Sequence, residues 1–257
     1  MKYIFLFLFT SGFFYSCETK NKIAEEQSVS KINPPAEGFN EKGSDQKAIA
    51  IADRVMEAMG GRNNWDKERF FSWNFFGFRT LWWDKMTGDV RIQMHRSDST
   101  KILVNIFNNT GRVSINGTEM SHADSVSKYV TKGKGIWIND SYWLFMPFKL
   151  KDSGVTLTYI TTDTLQSNKI CDVLQMTFEG VGNTPQNKYH VWVDQSDHLV
   201  KQWAFYRNND REKPNFINPW EGYKKYNSIY LSGNRGERQI TDIQVSDHMD
   251  TSLFTEF

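Results

Sequence analysis

The feature that most restricts the fold is a change of rhythm after the first sixty residues, from a helical period to an alternating one. Segments such as Val90-Arg91-Ile92-Gln93-Met94 and Tyr189-His190-Val191-Trp192-Val193 alternate, as a strand with one buried face does. Turn formers separate them: Thr87-Gly88, the run from Asn108 to Gly111, Asn116-Gly117 and Ser196-Asp197. Strands joined this tightly must be antiparallel neighbours. The spacing predicts about five strands before residue 118 and five or six after residue 154. Ahead of them, Ala48, Ala52, Val55, Met56 and Met59 recur at helical spacing. Ser44 or Asp45 can cap that helix, Gly60-Gly61 ends it, and its apolar stripe needs a sheet to lie on.

Between the two strand blocks the pattern turns helical. Val126, Tyr129 and Val130 form a first amphipathic stretch that Gly133 and Gly135 are expected to break. Asn139 or Asp140 can cap a second short helix ending at Pro147. That helix lies in "WINDSYWLFMPFKL", residues 137–150, and is apolar nearly all round. Such a helix must be covered on most sides or bind something.

The start of the chain has a different character. Residues 1–16, MKYIFLFLFTSGFFYS, place one lysine before an apolar run and a small serine before Cys17, the layout of a secretory signal. At about 1.5 Å per residue the run from Tyr3 to Ser16 spans roughly 21 Å, short of the ~30 Å hydrocarbon core. The Ser16-Cys17 junction resembles the lipobox of bacterial lipoproteins, which implies acylation of Cys17; Phe14 and Tyr15 depart from the usual pattern. Residues 17–44 are mostly polar, contain Pro34-Pro35 and show no apolar period, as expected of a flexible tether. Two or three acyl chains anchor a protein durably, since each buried methylene contributes about 0.8 kcal/mol. The remaining residues, 45–257, suffice for one domain with a sizeable core.

An amphipathic first helix, a long antiparallel meander interrupted by helices, the Leu81-Trp82 strand followed by Asp84-Lys85, and a final Leu253-Phe254-Thr255-Glu256-Phe257 together resemble the LolA and LolB lipoprotein carriers. The stretches "MEAMGGRNNWDKERFFSWNFFGFRTLWWDKMTGDVRIQ" and "WINDSYWLFMPFKL" look like a set of Bacteroidota envelope proteins of that architecture. The resemblance implies a mainly β (α+β) fold. In it a curved antiparallel half-barrel of about ten or eleven strands wraps around the N-terminal helix and short lid helices, enclosing an apolar cavity. It also implies a ligand that is an acyl chain, a lipid or a lipoprotein. The sequence departs from the carriers at Met86, where they have an arginine that helps hold the lid shut, so no latch is transferred to this chain. A lipid anchor at Cys17 would make the protein stationary in the manner of LolB, and Glu18-Thr19-Lys20, with no acidic cluster, favours an outer membrane location facing the periplasm.

Chemistry is sparsely represented. No nucleophile elbow, Gly-rich phosphate loop or HExxH sequence occurs, so no catalytic residue, metal or cofactor is expected. Pairing Asp194 with Asp197 would place His190 opposite Lys201 and His198 opposite Val193, which separates the two imidazoles. Asp84, Asp89, Asp140 and Asp152 are expected to cap turns and helices. Cys171 lies in a strand-like run, the usual place of a small buried apolar residue. Lys and Arg total 31 against 30 Asp and Glu, which leaves no nucleic-acid footprint. Aromatic residues are the strongest signal. Trp73, Phe75, Trp82, Trp83, Trp137, Trp143, Phe145, Met146 and Phe148 are expected to line the cavity, with Gly133 and Gly135 as hinges of its lid. In the competing expectation Trp192, Trp203 and Trp220 stack on sugar rings, as in a glycan-binding or scaffolding protein.

Overall fold

A computed structural model describes residues 33–95 and 98–257. The expected signal peptide, Cys17 and most of the tether lie outside these residues. Where the tether overlaps them, residues 33–44 are docked rather than free. The Ala36 amide donates to the Lys151 carbonyl at 3.0 Å, and the Asn40 amide to the Val155 carbonyl at 3.0 Å. Asn33 is buried and donates to Asp53 at 2.7 Å, and Asp53 also pairs with the buried Lys151.

Helix α1 (Gln46–Ala58) follows, and its buried face carries the apolar stripe read from the sequence. Asp45 stands at its N-cap but makes no side-chain cap bond. Instead the Asp45 carboxylate accepts from the Tyr159 amide at 2.8 Å, and the Ser44 hydroxyl accepts from the Leu157 amide at 2.9 Å. These two residues fasten the helix start to the second sheet. At Gly60, with φ at 115°, a Cβ would lie 2.6 Å from the Ser228 carbonyl oxygen, so the chain passes too close for any side chain. A short helix α2 (Arg62–Lys67) leads into the strands.

The fold is mainly β, built from two antiparallel sheets, neither closed on itself. The larger has nine strands, in the order β12-β13-β14-β1-β2-β3-β4-β5-β6. Its strands are β1 (Phe70–Phe75), β2 (Arg79–Asp84), β3 (Asp89–Met94), β4 (Lys101–Asn105), β5 (Thr110–Ile115), β6 (Thr118–Glu119), β12 (Glu221–Tyr226), β13 (Ile229–Arg235) and β14 (Arg238–Ser246). The smaller has five, in the order β11-β10-β9-β8-β7: β7 (Val155–Thr164), β8 (Ile170–Phe178), β9 (Lys188–Asp194), β10 (Val200–Tyr206) and β11 (Phe216–Pro219). The total exceeds the expected ten or eleven because residues 216–246 form four strands whose apolar residues do not strictly alternate: β13 buries the adjacent Leu231 and Ser232, and β14 is bulged near Asp242. Register also corrects one expectation. His190 stands opposite Ala204, not Lys201, after a bulge between Val200 and Gln202.

The segment expected to form short lid helices is one helix. Helix α3 (Ala123–Phe145) runs unbroken through both glycines and continues into a 3-10 turn, Met146–Lys149. Gly133 is there for contact: a Cβ would come within 2.9 Å of the Ile102 side chain and 3.4 Å of Val104, so its absence seats α3 closely on β4. Gly135 has only Asn183 nearby, at 3.4 Å. Gly135→Ala is therefore expected to stabilise the helix by about 0.5–1 kcal/mol and to leave ligand exchange unchanged. A melting curve and a stopped-flow ligand release trace check this; slowed release would restore the hinge.

Candidate functional site

Helix α3 lies between the two sheets, which explains a segment apolar on nearly every side. Toward the large sheet it presents Val130, Gly133, Leu144 and Phe145. Phe145 is fully buried, with its ring centroid 5.1 Å from Phe71, 5.5 Å from Trp73, 5.8 Å from Trp83 and 5.4 Å from Trp65. The concave side expected to be vacant is thus filled by α3 itself.

Open space lies on the other flank of the helix. A cavity of about 560 Å³ lies between α3 and the five-stranded sheet, beside the point where Trp143 meets Trp203 and Phe216, and is within the ~300–1,000 Å³ usual for small-ligand sites. The helix contributes Trp137, Ile138, Tyr142 and Trp143, and the sheet contributes Phe178, Tyr189, Trp203, Phe205 and Phe216. The β8–β9 connection adds Val181, Asn183 and Thr184 at the rim, opposite Lys149, Asp152 and Ser153. Alternation along β9 and β10 turns Tyr189, Trp203 and Phe205 toward the helix, and β11, paired to β10 through Phe205↔Phe216, extends the wall.

The walls carry no charge. Burial holds the Tyr142 phenol well above its ordinary pKa and pushes that of Tyr189 up to about 12. The Tyr142 hydroxyl donates to the Met176 sulfur at 3.8 Å. The only charged lining residues are Lys149 and Asp152, which pair with each other at 3.0 Å. An uncharged interior with a self-neutralised mouth suits an apolar ligand that has one small polar end.

Of the nine residues expected to line the cavity, Trp137 and Trp143 do so. Trp73, Phe75, Trp83, Phe145, Met146 and Phe148 are core residues. Trp82 is on the opposite face of β2, with the Arg91 guanidinium 5.8 Å from its ring. Arg91 in turn donates to the Leu253 and Glu256 carbonyls at 3.1 and 2.6 Å, holding the terminal segment on that convex face. The sequence does not separate these positions because bulky aromatics mark a core and a cavity wall alike, and only the pairing of sheets distinguishes them. Tyr189, Phe205 and Phe216 were missed, although the two-residue alternation of β9 and β10 would have placed Tyr189, Trp203 and Phe205 on inner faces. The glycan candidates, expected on an exposed convex face or rim, are elsewhere: Trp192 and Trp220 are buried away from the cavity, and Trp203 is buried in the cavity wall.

Two polar groups hold α3 in place. Asp140, expected as a cap, is fully buried mid-helix and receives Arg79 of β2 in a two-point pair, both contacts at 2.6 Å. Arg235 of β13 is 1% exposed, has no carboxylate partner among the described residues and donates to the Trp143 carbonyl at 2.7 Å. It sits where the last helix carbonyls are free and the dipole favours a cation. Burial brings its pKa down to about 9, and its guanidinium lies 3.4 Å from the centre of the Trp220 ring.

No protein-family model matches the chain, and no curated protein matches it in sequence. Among solved structures it is similar to a DUF1329 family protein from Desulfovibrio piger, at 12% identity over 80% of this chain and 96% of the other, with a TM-score of 0.45. It is also similar to an outer membrane lipoprotein-sorting protein domain from Vibrio parahaemolyticus, at 8% identity over 82% and 97% with a TM-score of 0.40. A third is a LolA superfamily protein from Nitrosomonas europaea, at 11% identity over 81% and 97% with a TM-score of 0.42. These values leave function to be argued from this chain's own geometry.

Proposed function

We propose that the protein is a bacterial envelope lipoprotein of the kind the sequence resembles in Bacteroidota. In this reading it is tethered through Cys17 to the outer membrane on its periplasmic side. Its cavity takes up an acyl chain or another apolar ligand, a lipid or the lipid moiety of a lipoprotein, and the protein binds and hands on rather than catalyses. The observation that carries this reading is the uncharged, largely apolar cavity between α3 and the five-stranded sheet. Moving hydrocarbon into it from water is favourable by about 0.8 kcal/mol per methylene. The β8–β9 connection is the part of the rim suited to move. It carries Gly180 and Gly182 at positive φ, with nothing near where their Cβ atoms would be, and Asn183 touches α3 through one 3.4 Å bond to the Gly135 carbonyl.

The test is uptake of the neutral probe N-phenylnaphthylamine by the soluble domain. Wild-type protein should brighten the probe saturably. Ile138→Glu puts a carboxylate on the helix wall at a half-buried position; it should keep the wild-type circular dichroism spectrum and lose at least about 10-fold in affinity, since a buried unpaired charge costs several kcal/mol. Equal probe binding by both proteins would refute the cavity as the site.

A further inference from the structure

The cavity is lined chiefly by rings, and this narrows the class of ligand. Its aliphatic lining is limited to Ile138, Val155 and Val181, whereas aromatic side chains form both long walls. Several are already stacked on one another. Tyr189 lies parallel to Trp203, with centroids 5.1 Å apart and 2° between planes. Phe216 stacks on Trp143 at 5.7 Å and 24°, and on Phe205 at 5.0 Å and 28°. Rings held against one another in this way are rigid, and the Trp143–Phe216 pair joins helix to sheet at one end of the slot, so a flat ligand adds edge-to-face and offset contacts with the half-buried Tyr189, Phe205 and Phe216 to what area burial alone provides.

A flexible saturated chain gains only the area term in such a slot and loses rotational freedom on entering it. A flat molecule gains stacking as well and has little freedom to lose. A sugar ring is flat enough to stack, but its hydroxyls would need partners along the walls. Of the uncharged polar groups lining the cavity, the Tyr142 hydroxyl donates to Met176, the Ser141 hydroxyl to the Ile138 carbonyl, the Asn139 amide to Asp140 and the Asn187 amide to Thr184, which leaves the Tyr189 hydroxyl and the side chains of Ser153 and Asn183 to meet several sugar hydroxyls. We infer that the ligand carries a fused or conjugated ring system as its apolar body, with a single polar end left at the mouth beside Lys149, Asp152 and Asn183. This inference rests on the cavity reading given above and specifies its ligand.

Equilibrium dialysis with pyrenemethanol and undecanol tests it, since these are a flat and a flexible alcohol of similar hydrophobicity. Pyrenemethanol should bind roughly 10-fold or more tightly, as two stacking contacts would give. Phe205→Leu and Phe216→Leu keep the wall apolar at half-buried positions beside the sheet edge. Each should weaken pyrenemethanol by roughly 3- to 10-fold and leave undecanol nearly unchanged. If undecanol binds as well or better, or if both alcohols weaken alike in the variants, the ring inference fails while the cavity reading stands. If neither alcohol binds, both fail.

Discussion

Phe145→Ala is expected to lower the free energy of unfolding by about 3–5 kcal/mol and to leave the affinity of the folded protein for an apolar probe unchanged. The ring is fully buried and meets four aromatic neighbours at centroid distances of 5.1–5.8 Å. It fills the concave side of the nine-stranded sheet and does not reach the cavity on the other flank of α3. Its loss leaves a void that rigid neighbouring rings cannot close. Measured against a total of about 5–15 kcal/mol for a typical domain, the loss is severe, and urea unfolding will register it as a lower midpoint. A variant that is fully stable yet fails to bind would place the ligand beneath the large sheet after all.

Arg79→Ala is expected to cost a similar amount, about 3–5 kcal/mol near neutral pH, because it strands a charge inside the protein. Asp140 is fully buried and keeps only Asn139, at 2.9 Å, as a partner when the guanidinium is removed. Burial already raises the Asp140 pKa above its ordinary value, and Arg79 is the main influence opposing that rise. Without Arg79 the folded-state pKa climbs further above the unfolded value. The folded variant then binds a proton more readily than the unfolded chain does, so its deficit is full at high pH and shrinks as pH falls through the raised pKa. Replacing both residues by leucine should recover most of the loss, since well-packed apolar side chains often substitute for a buried pair. A deficit that does not vary with pH, or a double variant as unstable as the single one, would show that Asp140 is not the cause.

The antiparallel meander could be read from the sequence because alternation and tight turns are local. The first helix was legible for the same reason, in the stripe from Ala48 to Met59. Residues 216–246 were not, because β11 and β12 are edge strands, β13 buries the adjacent residues Leu231 and Ser232, and β14 is bulged near Asp242, so the two-residue rhythm is lost. Gly133 was misread as a hinge, since a glycine that permits bending and one that permits close approach look identical until the opposing Ile102 is known. Aromatic residues in the 137–150 stretch signalled an apolar environment on both sides of one helix. Which side is packed and which holds a cavity depends on contacts with strands β8 to β11, about 20 to 80 residues further along. Arg79 and Asp140 lie 61 residues apart, so no local pattern links them.

Photolabelling tests the central claim most directly. The protein would be irradiated with a benzophenone-bearing apolar probe and the modified peptides mapped by mass spectrometry. The account predicts adducts on the cavity-facing residues of α3, from Trp137 to Trp143, and on the inner faces of β8 to β11, with competition by an unlabelled apolar ligand. Labelling confined to β1 and β2, or scattered over the outer faces without competition, would contradict it.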